Sequence, residues 1–376
     1  MTDLPLGSEP RAHRSGHGWL TRLALSSRFH AISQAIPGLR RISRREGQAL
    51  FDTLSGFVQS QALMALVELD VLAALRKGPL RTAALAHAAR VAPDRMAVLM
   101  QAAAALKLVR RGRDVWHLAP RGAAFLTVPG LAAMVRHHRV LYRDLADPTA
   151  FLRGETTPEL AGFWPYVFGA GAAADPQTAA IYSQLMADSQ GLVAADTLAV
   201  VDFSNVRNLM DVGGGTGAFL TAVGQAVPAL QLTLFDLPAV VPGATARFAK
   251  AGLEARTRIV AGSFRDDPLP KGADAISLVR VLYDHADSTV AALLAAVHTA
   301  LPPGGRIVIS EPMSGGHTPD RATDIYFAFY TLAMGTGRTR SATEVENLLK
   351  NAGFGAIRIH PSQRSYVTQV VTATKV

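Results

Sequence analysis

Residues 209–220 read Leu-Met-Asp-Val-Gly-Gly-Gly-Thr-Gly-Ala-Phe-Leu, a short apolar run, a glycine-rich turn and a second apolar run. This order predicts a β-strand, a tight turn and the start of an α-helix. Glycine is favoured where the backbone takes a positive φ or approaches a ligand closely, and the first N–H groups of the following helix point into the turn. We therefore expect Gly213 and Gly215 to bind a ligand at the carboxyl end of the first strand of an α/β sheet.

Two acidic residues flank this turn. Asp211 lies within the expected strand, and Asp236 ends the next apolar run, Leu-Phe-Asp-Leu-Pro, 19 residues after Gly217. An acid at that distance suits the two hydroxyls of a ribose, whereas Asp211 suits an amino group better than a pyrophosphate. Because the turn also satisfies the dinucleotide pattern G-x-G-x-x-A, an NAD-dependent dehydrogenase stays open as an alternative.

The C-terminal part of the chain alternates short apolar runs with helical patterns. This alternation predicts a mostly parallel, doubly wound, Rossmann-like α/β domain with helices on both faces of its sheet, which we place at residues 196–376. The expected strands are residues 208–212, 230–235, 257–261, 275–279 and 306–310, with a pair near 357–360 and 366–372.

The preceding region, residues 48–195, is mainly helical in pattern. Residues 80–118 predict two short helices, the second capped by Asp94, and then a hairpin across residues 111–114, which is the layout of a winged helix. Such a module binds DNA through its second helix or serves as a scaffold for dimerisation. The second helix is mostly Ala, Leu, Met and Val, which leaves few side chains for phosphates or bases. We therefore favour a dimerisation domain and expect no nucleic-acid partner.

Residues 1–47 form a basic leader. Residues 1–50 carry eight Arg against three acidic residues, which is +5 of the formal charge of +9. Apolar residues are interleaved with these cations, a pattern that fits either contact with an anionic membrane surface or a tail with a helix packed on the rest of the protein. Pro37-Gly38 is expected to interrupt the helical pattern, with a new helix from Gln48 onward. The apolar stripe of that helix contains Leu50, Leu54, Phe57, Val58 and Gln61.

The composition narrows the class of protein further. Charged residues make up 18% of the chain, below the usual figure of about 25%, so the protein is unusually apolar. The chain has no cysteine, which excludes disulfides and thiolate chemistry. No signal peptide is recognisable and no apolar run reaches the ~18 residues of a membrane span. We expect a cytoplasmic protein, peripheral at the inner membrane if the leader binds lipid.

Motifs beyond the glycine turn make a resemblance specific. They are Phe-Asp-Leu-Pro (235–238), Gly-Ser-Phe (262–264), Val-Leu-Tyr-Asp-His-Ala-Asp (281–287), Pro-Pro-Gly-Gly (302–305), Glu-Pro (311–312), Arg-Ser-Ala-Thr-Glu (340–344) and Ala-Gly-Phe (352–354). In this order and spacing, residues 50–376 resemble the caffeate/acetylserotonin-type O-methyltransferase family. The basic leader and the Leu-Tyr-Asp-His variant most resemble the bacterial branch that acts on hydroxyneurosporene-type carotenoids.

This resemblance implies S-adenosyl-L-methionine as cofactor, a homodimer, and methylation of the tertiary 1-hydroxyl of an acyclic carotenoid in the carotenoid biosynthesis of photosynthesis. Two alternatives stay open beside it. One is an O-methyltransferase of the same fold that acts on a phenolic or polyketide molecule, which the change to Tyr283 disfavours. The other is a winged-helix regulator that senses S-adenosylmethionine without catalysis.

The resemblance also assigns roles to single residues. The family usually has Asp at the position of Ser263, so the expected adenine contact is weaker here. The positions that match cofactor-binding ones are Asp211, Gly213, Gly215, Asp236, Leu237, Ser263, Phe264 and Arg280.

The catalytic position departs from the family pattern. Tyr283 stands where the family has its general-base His, and His285 lies two residues later. A His, with a pKa of about 6.5, suits proton removal better than a Tyr, with a pKa of about 10. Three possibilities stay open: His285 is the base, Tyr283 orients the acceptor hydroxyl, or positioning carries much of the rate without a strong base. Glu311 and Glu344 match the two acids that flank the catalytic position, and the reaction needs no metal.

A lipophilic acceptor is expected in an apolar pocket between the domains. The candidate lining residues are Phe163, Trp164, Phe168, Met186, Tyr326, Phe327, Tyr330 and Met334.

Overall fold

The computed structural model describes residues 36–163 and 176–376, together with Gly18, Thr21, Arg22, Leu25 and Ser26. Two predictions lie outside these residues: the aromatic candidates Trp164 and Phe168, and most of the basic leader. Among the described residues, no helix combines the length and the apolar character needed to cross a membrane.

The N-terminal region is helical apart from one hairpin. Its helices are α1 (Pro37–Glu68), α2 (Val71–Arg76), α3 (Thr82–Ala89), α4 (Pro93–Ala105), α5 (Pro120–Thr127), α6 (Leu131–Asp144), α7 (Pro148–Leu152), α8 (Glu159–Phe163) and α9 (Pro176–Leu198). The hairpin pairs β1 (Val109–Arg111) with β2 (Trp116–Leu118) in antiparallel register. The predicted order of helix, turn, helix and hairpin is confirmed. Asp94 lies in the first turn of α4 rather than at its N-cap, which is Ala92.

Helix α1 differs from the expectation of a break at Pro37-Gly38. It begins at Pro37 and continues without interruption to Glu68, across the expected border between residues 47 and 48. Proline is compatible with the first turn of a helix because the N–H that it lacks has no partner there in any case. A stripe of α1 is exposed, and we call it the α1 stripe; its members are Leu50, Phe51, Leu54, Phe57 and Val58.

A seven-stranded sheet dominates the described C-terminal region. Its strands are β3 (Asn208–Val212), β4 (Gln231–Asp236), β5 (Thr257–Ala261), β6 (Ala275–Val279), β7 (Arg306–Glu311), β8 (Phe354–Ile359) and β9 (Gln369–Lys375), in the order β5-β4-β3-β6-β7-β9-β8. The first five strands in this order are parallel, and β9 is antiparallel to both of its neighbours. This is the doubly wound arrangement that the alternating pattern predicts.

Helices cover both faces of this sheet. They are α10 (Ala218–Ala226), α11 (Pro242–Lys250), α12 (Asp287–Ala300), α13 (Ala328–Ala333) and α14 (Ala342–Asn351), with a π-helix at Ala322–Phe327 directly before α13. Strand β6 is buried along its whole length, as expected of a central strand that is covered on both faces. The chain order reverses between β3 and β6, and ligands of such sheets bind at the carboxyl ends of the strands at that point.

A separate apolar cluster joins the helical region to the sheet domain. Val140 and Leu141 of α6 pack with Leu160 of α8 and with Tyr330 and Met334 at α13. This packing carries the polar side chains of α6 toward the edge of the sheet where β6 and β7 end.

Candidate active site

The glycine turn has the backbone that its sequence predicts. Gly213, Gly215 and Gly217 all take a positive φ, at 69°, 60° and 75°. A Cβ on Gly217 would collide with the ring of Phe248, whereas a Cβ on Gly215 would meet nothing within 4 Å. Gly215 therefore borders open space at the carboxyl edge of β3, where a ligand can approach the backbone.

The two flanking acids lie on either side of this space. Oδ2 of Asp236 accepts the Gly215 amide at 2.6 Å and its Oδ1 accepts the Leu237 amide at 2.7 Å. Oδ1 of Asp211 accepts the Ser277 hydroxyl at 2.6 Å, and its buried Oδ2 has no hydrogen-bond partner among the described residues. Burial raises the pKa of Asp211 to about 7 and that of Asp236 to about 6. A cation or hydroxyl donor in the site would relieve both carboxylates.

Ser263 and Phe264 follow β5 at the same edge. The Ser263 amide donates to Asp267 at 2.8 Å, and its hydroxyl donates to Asp266 at 2.9 Å. Two carboxylates, those of Asp266 and Asp267, therefore lie beside Ser263. The Phe264 ring meets the His285 ring edge-on at 5.3 Å, which joins the cofactor edge to the catalytic turn.

The catalytic turn is the 3₁₀ segment Leu282–Asp284, which follows β6. The buried Glu311, at the end of β7, accepts the amides of Leu282 at 2.9 Å and Tyr283 at 3.3 Å through Oε2. The fully buried Arg340 donates to the carbonyls of Leu282 at 2.7 Å and His285 at 2.8 Å. Glu311 thus holds the turn by its amide groups, and Arg340 holds it by its carbonyl groups. Burial raises the pKa of Glu311 to about 7.

Tyr283 is buried on this turn. Burial, with a further contribution from Asp284, raises its pKa well above the usual value for tyrosine. Its ring meets Phe327 edge-on at 6.3 Å. The hydroxyl therefore stays protonated at neutral pH, which suits orientation of an acceptor hydroxyl and not proton removal.

Arg280 precedes the turn in an unusual backbone conformation. Its φ is 59°, in a region that residues other than glycine rarely occupy. The guanidinium donates to Ser189 Oγ at 2.8 Å and reaches Met186 Sδ at 3.0 Å. Arg280 therefore links the end of β6 to helix α9. Its charge also lies close to Tyr283 and offsets part of the rise that burial causes in the pKa of that phenol.

His285 does not have the environment of a general base. Its Nδ1 lies 3.1 Å from Nη2 of Arg265. A guanidinium only donates, so Nδ1 is the acceptor and the neutral ring carries its proton on Nε2. Burial, followed by Arg265 and Arg340, lowers the pKa of His285 to about 3. The structure therefore gives no support to His285 as the base, and we revise that prediction.

Glu344 occupies a helix cap rather than the catalytic turn. It accepts the Ser341 amide at 2.7 Å in the capping box of α14 and pairs with Arg338 at 2.9 Å. None of its described contacts reaches Tyr283 or Glu311. Of the two flanking acids, the structure brings only Glu311 to Tyr283, and the predicted catalytic role of Glu344 is revised to a structural one.

Two histidines that the sequence left without a role lie beside the predicted acceptor pocket. Nε2 of His138 lies 2.6 Å from the Tyr326 hydroxyl, and Nε2 of His137 lies 2.8 Å from the Tyr330 hydroxyl. The signal available in the sequence was a pair of adjacent histidines on α6 and a pair of tyrosines four residues apart. Among the described residues no cluster of three His, Asp or Glu side chains could hold a metal ion.

Two known protein-domain families match this chain. The O-methyltransferase domain family matches residues 142–355, and the O-methyltransferase dimerisation domain matches residues 51–128. The chain belongs to the O-methyltransferase family. The expected family and enzyme class are thereby confirmed, and the match to the dimerisation domain supports a homodimer.

Individual relatives of this O-methyltransferase extend the match along nearly its whole length. Demethylspheroidene O-methyltransferase of Cereibacter sphaeroides is 61% identical, over 94% of each chain. The protein of the same name in Rhodobacter capsulatus is 58% identical, over 95% of this chain and 89% of its own. The crystal structure of human N-acetylserotonin methyltransferase in complex with S-adenosylmethionine superimposes with a TM-score of 0.76 at 26% identity, covering 88% of this chain and 97% of that one.

Proposed function

We propose that this O-methyltransferase transfers a methyl group from S-adenosyl-L-methionine to the tertiary 1-hydroxyl of an acyclic carotenoid of the demethylspheroidene type. The main support for the proposal is the 61% sequence identity to a demethylspheroidene O-methyltransferase over 94% of both chains. The pathway would be the carotenoid biosynthesis that serves photosynthesis. We also propose a helical dimerisation domain (48–195) and a methyltransferase domain (196–376); the proposed leader (1–47) has no border of its own, because helix α1 continues across it.

An acceptor panel tests the substrate. The enzyme is incubated with S-adenosylmethionine and, in detergent, a 1-hydroxylated acyclic carotenoid, a catechol or a flavonoid, and the products are read by mass. Methylation of the carotenoid is expected. Methylation of the catechol or the flavonoid alone would keep the enzyme class and overturn the carotenoid assignment.

The residues at the glycine turn fit the cofactor. The unpartnered Oδ2 of Asp211 can accept the ammonium group of its methionine part, and Asp236 can accept the ribose hydroxyls beside Gly215. Leu237, Ser263 and Phe264 are proposed to border the adenine. When bound, the cofactor supplies an electrophilic methyl group, and the protein supplies position and charge around it.

Cofactor binding is expected to weaken as the pH falls through 7 toward 6. Asp211 and Asp236 have raised pKa values of about 7 and about 6 in the free protein. The ammonium and ribose hydroxyl groups of the ligand bind the ionised carboxylates, so below these pKa values bound protons must first leave, at a cost of up to about tenfold in affinity per pH unit and carboxyl. Calorimetric titration of S-adenosylhomocysteine from pH 8 to pH 5.5 measures this dependence.

Two variants distinguish the titration of the site carboxylates from other effects of low pH on cofactor affinity. The variant Asp211→Asn should bind more weakly at pH 8 and lose the part of the dependence that centres near pH 7. Asp202 is an exposed acid whose side chain accepts hydrogen bonds from Ser204. The affinity of Asp202→Asn should depend on pH as that of the wild type does. A wild-type affinity that is flat across the range would contradict the assignment of both acids.

The α1 stripe is proposed to be the face that meets a second copy. Its side chains are between 53% and 73% exposed, and contiguous exposed apolar surface of this kind marks an interface. Phe57→Asp would place a charge in that face, which we expect to raise the dimer dissociation constant at least a hundredfold, since an unpaired buried charge costs several kcal/mol. Light scattering after gel filtration measures the mass.

The matched control lies on the opposite side of the same helix. Gln59 points about 140° away from the centre of the stripe at 100° per residue, and its side chain binds Ser55 at 2.9 Å. Gln59→Asp should leave the dimer intact. A dimeric Phe57→Asp protein would show that the second copy docks elsewhere.

Peripheral membrane contact is proposed for the first turns of α1 and the residues before them. Arg40, Arg41, Arg44 and Arg45 are exposed there beside Ile42, which is 59% exposed. Each cation near an anionic surface contributes about 1 kcal/mol, so reversing all four to Glu should abolish co-sedimentation with vesicles of phosphatidylglycerol. Retention of binding by that variant, or no binding by the wild type, would contradict the proposal.

A further inference from the structure

Two imidazole–phenol couples bridge the helical region and the methyltransferase domain. His138 of α6 bonds Tyr326 of the π-helix, and His137 bonds Tyr330 of α13. A π-helical turn is rare and is frequently found at functional sites. The ring of Tyr326 packs on Phe327 at 4.9 Å, and Phe327 packs on Tyr283 at 6.3 Å. A continuous aromatic row therefore runs from the catalytic turn to the histidines of α6.

The groups nearer the turn are poorly placed to receive a proton. His285 has its accepting nitrogen on Arg265. Glu311 is buried, and its Oε2 accepts the amides of Leu282 and Tyr283. Tyr283 already accepts a hydrogen bond from the Arg280 guanidinium, which occupies its phenol oxygen.

Tyr326 differs from these groups in access and in its partner. The Tyr326 residue is half-buried, whereas Tyr330 is buried. The charged or titratable groups around it are His138, Tyr283, Arg280, Tyr142 and Tyr330. Burial, followed by His137, lowers the pKa of His138 to about 4, so the imidazole is neutral at physiological pH and able to accept.

The hydrogen-bond inventory of a phenol and a neutral imidazole permits the direction that a relay needs. A phenol has one hydrogen to donate and lone pairs to accept with, and a neutral imidazole has one accepting nitrogen. When the Tyr326 hydroxyl donates to Nε2 of His138, its oxygen is left to accept a hydroxyl from the pocket. The 2.6 Å separation of these two atoms suits such a transfer.

We propose that the Tyr326–His138 couple takes the proton that the acceptor hydroxyl loses on methylation, with Tyr326 contacting the acceptor oxygen and His138 acting through it. This inference rests on the proposed function. A tertiary alcohol is too weak an acid to ionise beforehand, so the proton leaves while the new O–C bond forms or just after it. An oxygen that bears both methyl and proton is a far stronger acid than an imidazolium, which makes even a weakly basic histidine sufficient.

Methyl transfer and two proton transfers make up this step. The acceptor oxygen forms its bond to the methyl carbon as the bond from that carbon to the donor's sulfur breaks. The O–H proton of the acceptor moves to the Tyr326 oxygen, and the proton that Tyr326 held moves to Nε2 of His138. The single positive charge of the methyl donor ends on the imidazolium, which returns its proton to water after the product leaves.

The experiment compares two matched couples. Tyr326→Phe and His138→Gln remove the relay with little change of shape. The control couple is His360 and Thr372 at strands β8 and β9, whose Nε2 and Oγ1 lie 2.9 Å apart, and His360→Gln and Thr372→Val do the same to it. For each protein, kcat is measured on the acceptor that the wild type turns over, the carotenoid dissociation constant is read from its visible absorption, and folding is checked by thermal unfolding.

General acid–base contributions are typically on the order of a hundredfold to ten-thousandfold. We expect a loss of that size in kcat for Tyr326→Phe and for His138→Gln, with the carotenoid dissociation constant changed by less than about threefold. The double variant should lose no more than the worse single one, because the two residues act as a unit. The control couple should keep kcat within about tenfold of the wild type.

Two results would overturn the relay: a wild-type kcat in Tyr326→Phe, or a loss that lies in the carotenoid dissociation constant alone. Failure of the proposed function has a different signature, which is a wild-type enzyme that methylates a phenol and leaves the carotenoid untouched. In that case the relay is overturned only if Tyr326→Phe keeps full kcat on the phenol.

Discussion

Replacing Asp236 by alanine is expected to lower the affinity for S-adenosylhomocysteine about a hundredfold, in addition to the loss of stability from the two amides that it leaves without an acceptor. The carboxylate is held by the amides of Gly215 and Leu237 and would accept both ribose hydroxyls. Two hydrogen bonds to a charged group contribute roughly 3 kcal/mol together, and about 1.4 kcal/mol is a tenfold change in binding. Calorimetry at pH 8, where the acid is ionised, measures the change.

The control for this prediction is an acid of the same local chemistry at the opposite edge of the sheet. Asp274 accepts the amides of Arg207 and Asn208 at the amino end of β3. Asp274→Ala should lower the melting temperature and leave cofactor affinity within about twofold. Equal losses of affinity in both variants would mean that Asp236 acts through folding and does not bind the ribose.

Replacing Glu311 by alanine is expected to reduce kcat at least a hundredfold. The change leaves the amides of Leu282 and Tyr283 without an acceptor in a buried place, at about 1–3 kcal/mol each, and it removes a negative charge that interacts with the buried Arg340. The turn then shifts, and a misplacement of about 1 Å is enough to lose that much rate. Kinetics with saturating cofactor and thermal unfolding measure the two effects.

A conservative variant distinguishes positioning from proton transfer by Glu311. Glu311→Gln keeps an oxygen for the two amides but has no basic carboxylate, so it should recover most of the lost kcat. If Glu311→Gln is as inactive as Glu311→Ala, the carboxylate itself takes part in the reaction. Arg338→Ala, at an exposed ion pair with Glu344 and Asp287, should change stability by less than about 1 kcal/mol.

Features that depend on residues near one another in the chain were predictable from the sequence. The glycine turn, Asp236 and the strands at 208–212, 257–261 and 275–279 lie where the pattern predicts them. Local backbone preference selects glycine in the turn, and burial on both faces of the sheet gives short apolar runs in the sequence. Helix α1 was misjudged since proline breaks a helix only after its first turn. Gly38 in that turn was not enough to stop it.

Features that depend on distant residues were not predictable. Arg265 lies 20 residues before His285 and takes its accepting nitrogen, and His138 lies 188 residues before its partner Tyr326. Glu344 and Glu311 look alike in a motif, but one caps a helix and the other holds the catalytic turn. Only tertiary packing decides which polar groups meet, so the sequence could place the residues at the ends of β3, β4 and β6 but not the partners of His285 and His138.

The measurement that tests the central claim most directly uses S-adenosylmethionine with a trideuterated methyl group and two acyclic carotenoids that differ only in the tertiary 1-hydroxyl. The proposed function predicts that the hydroxylated carotenoid gains one trideuteromethyl in place of a hydrogen, on oxygen, and that the carotenoid without the hydroxyl gains none. Label on a carbon atom, or no label on the hydroxylated carotenoid while a phenol in the same reaction is labelled, would contradict it.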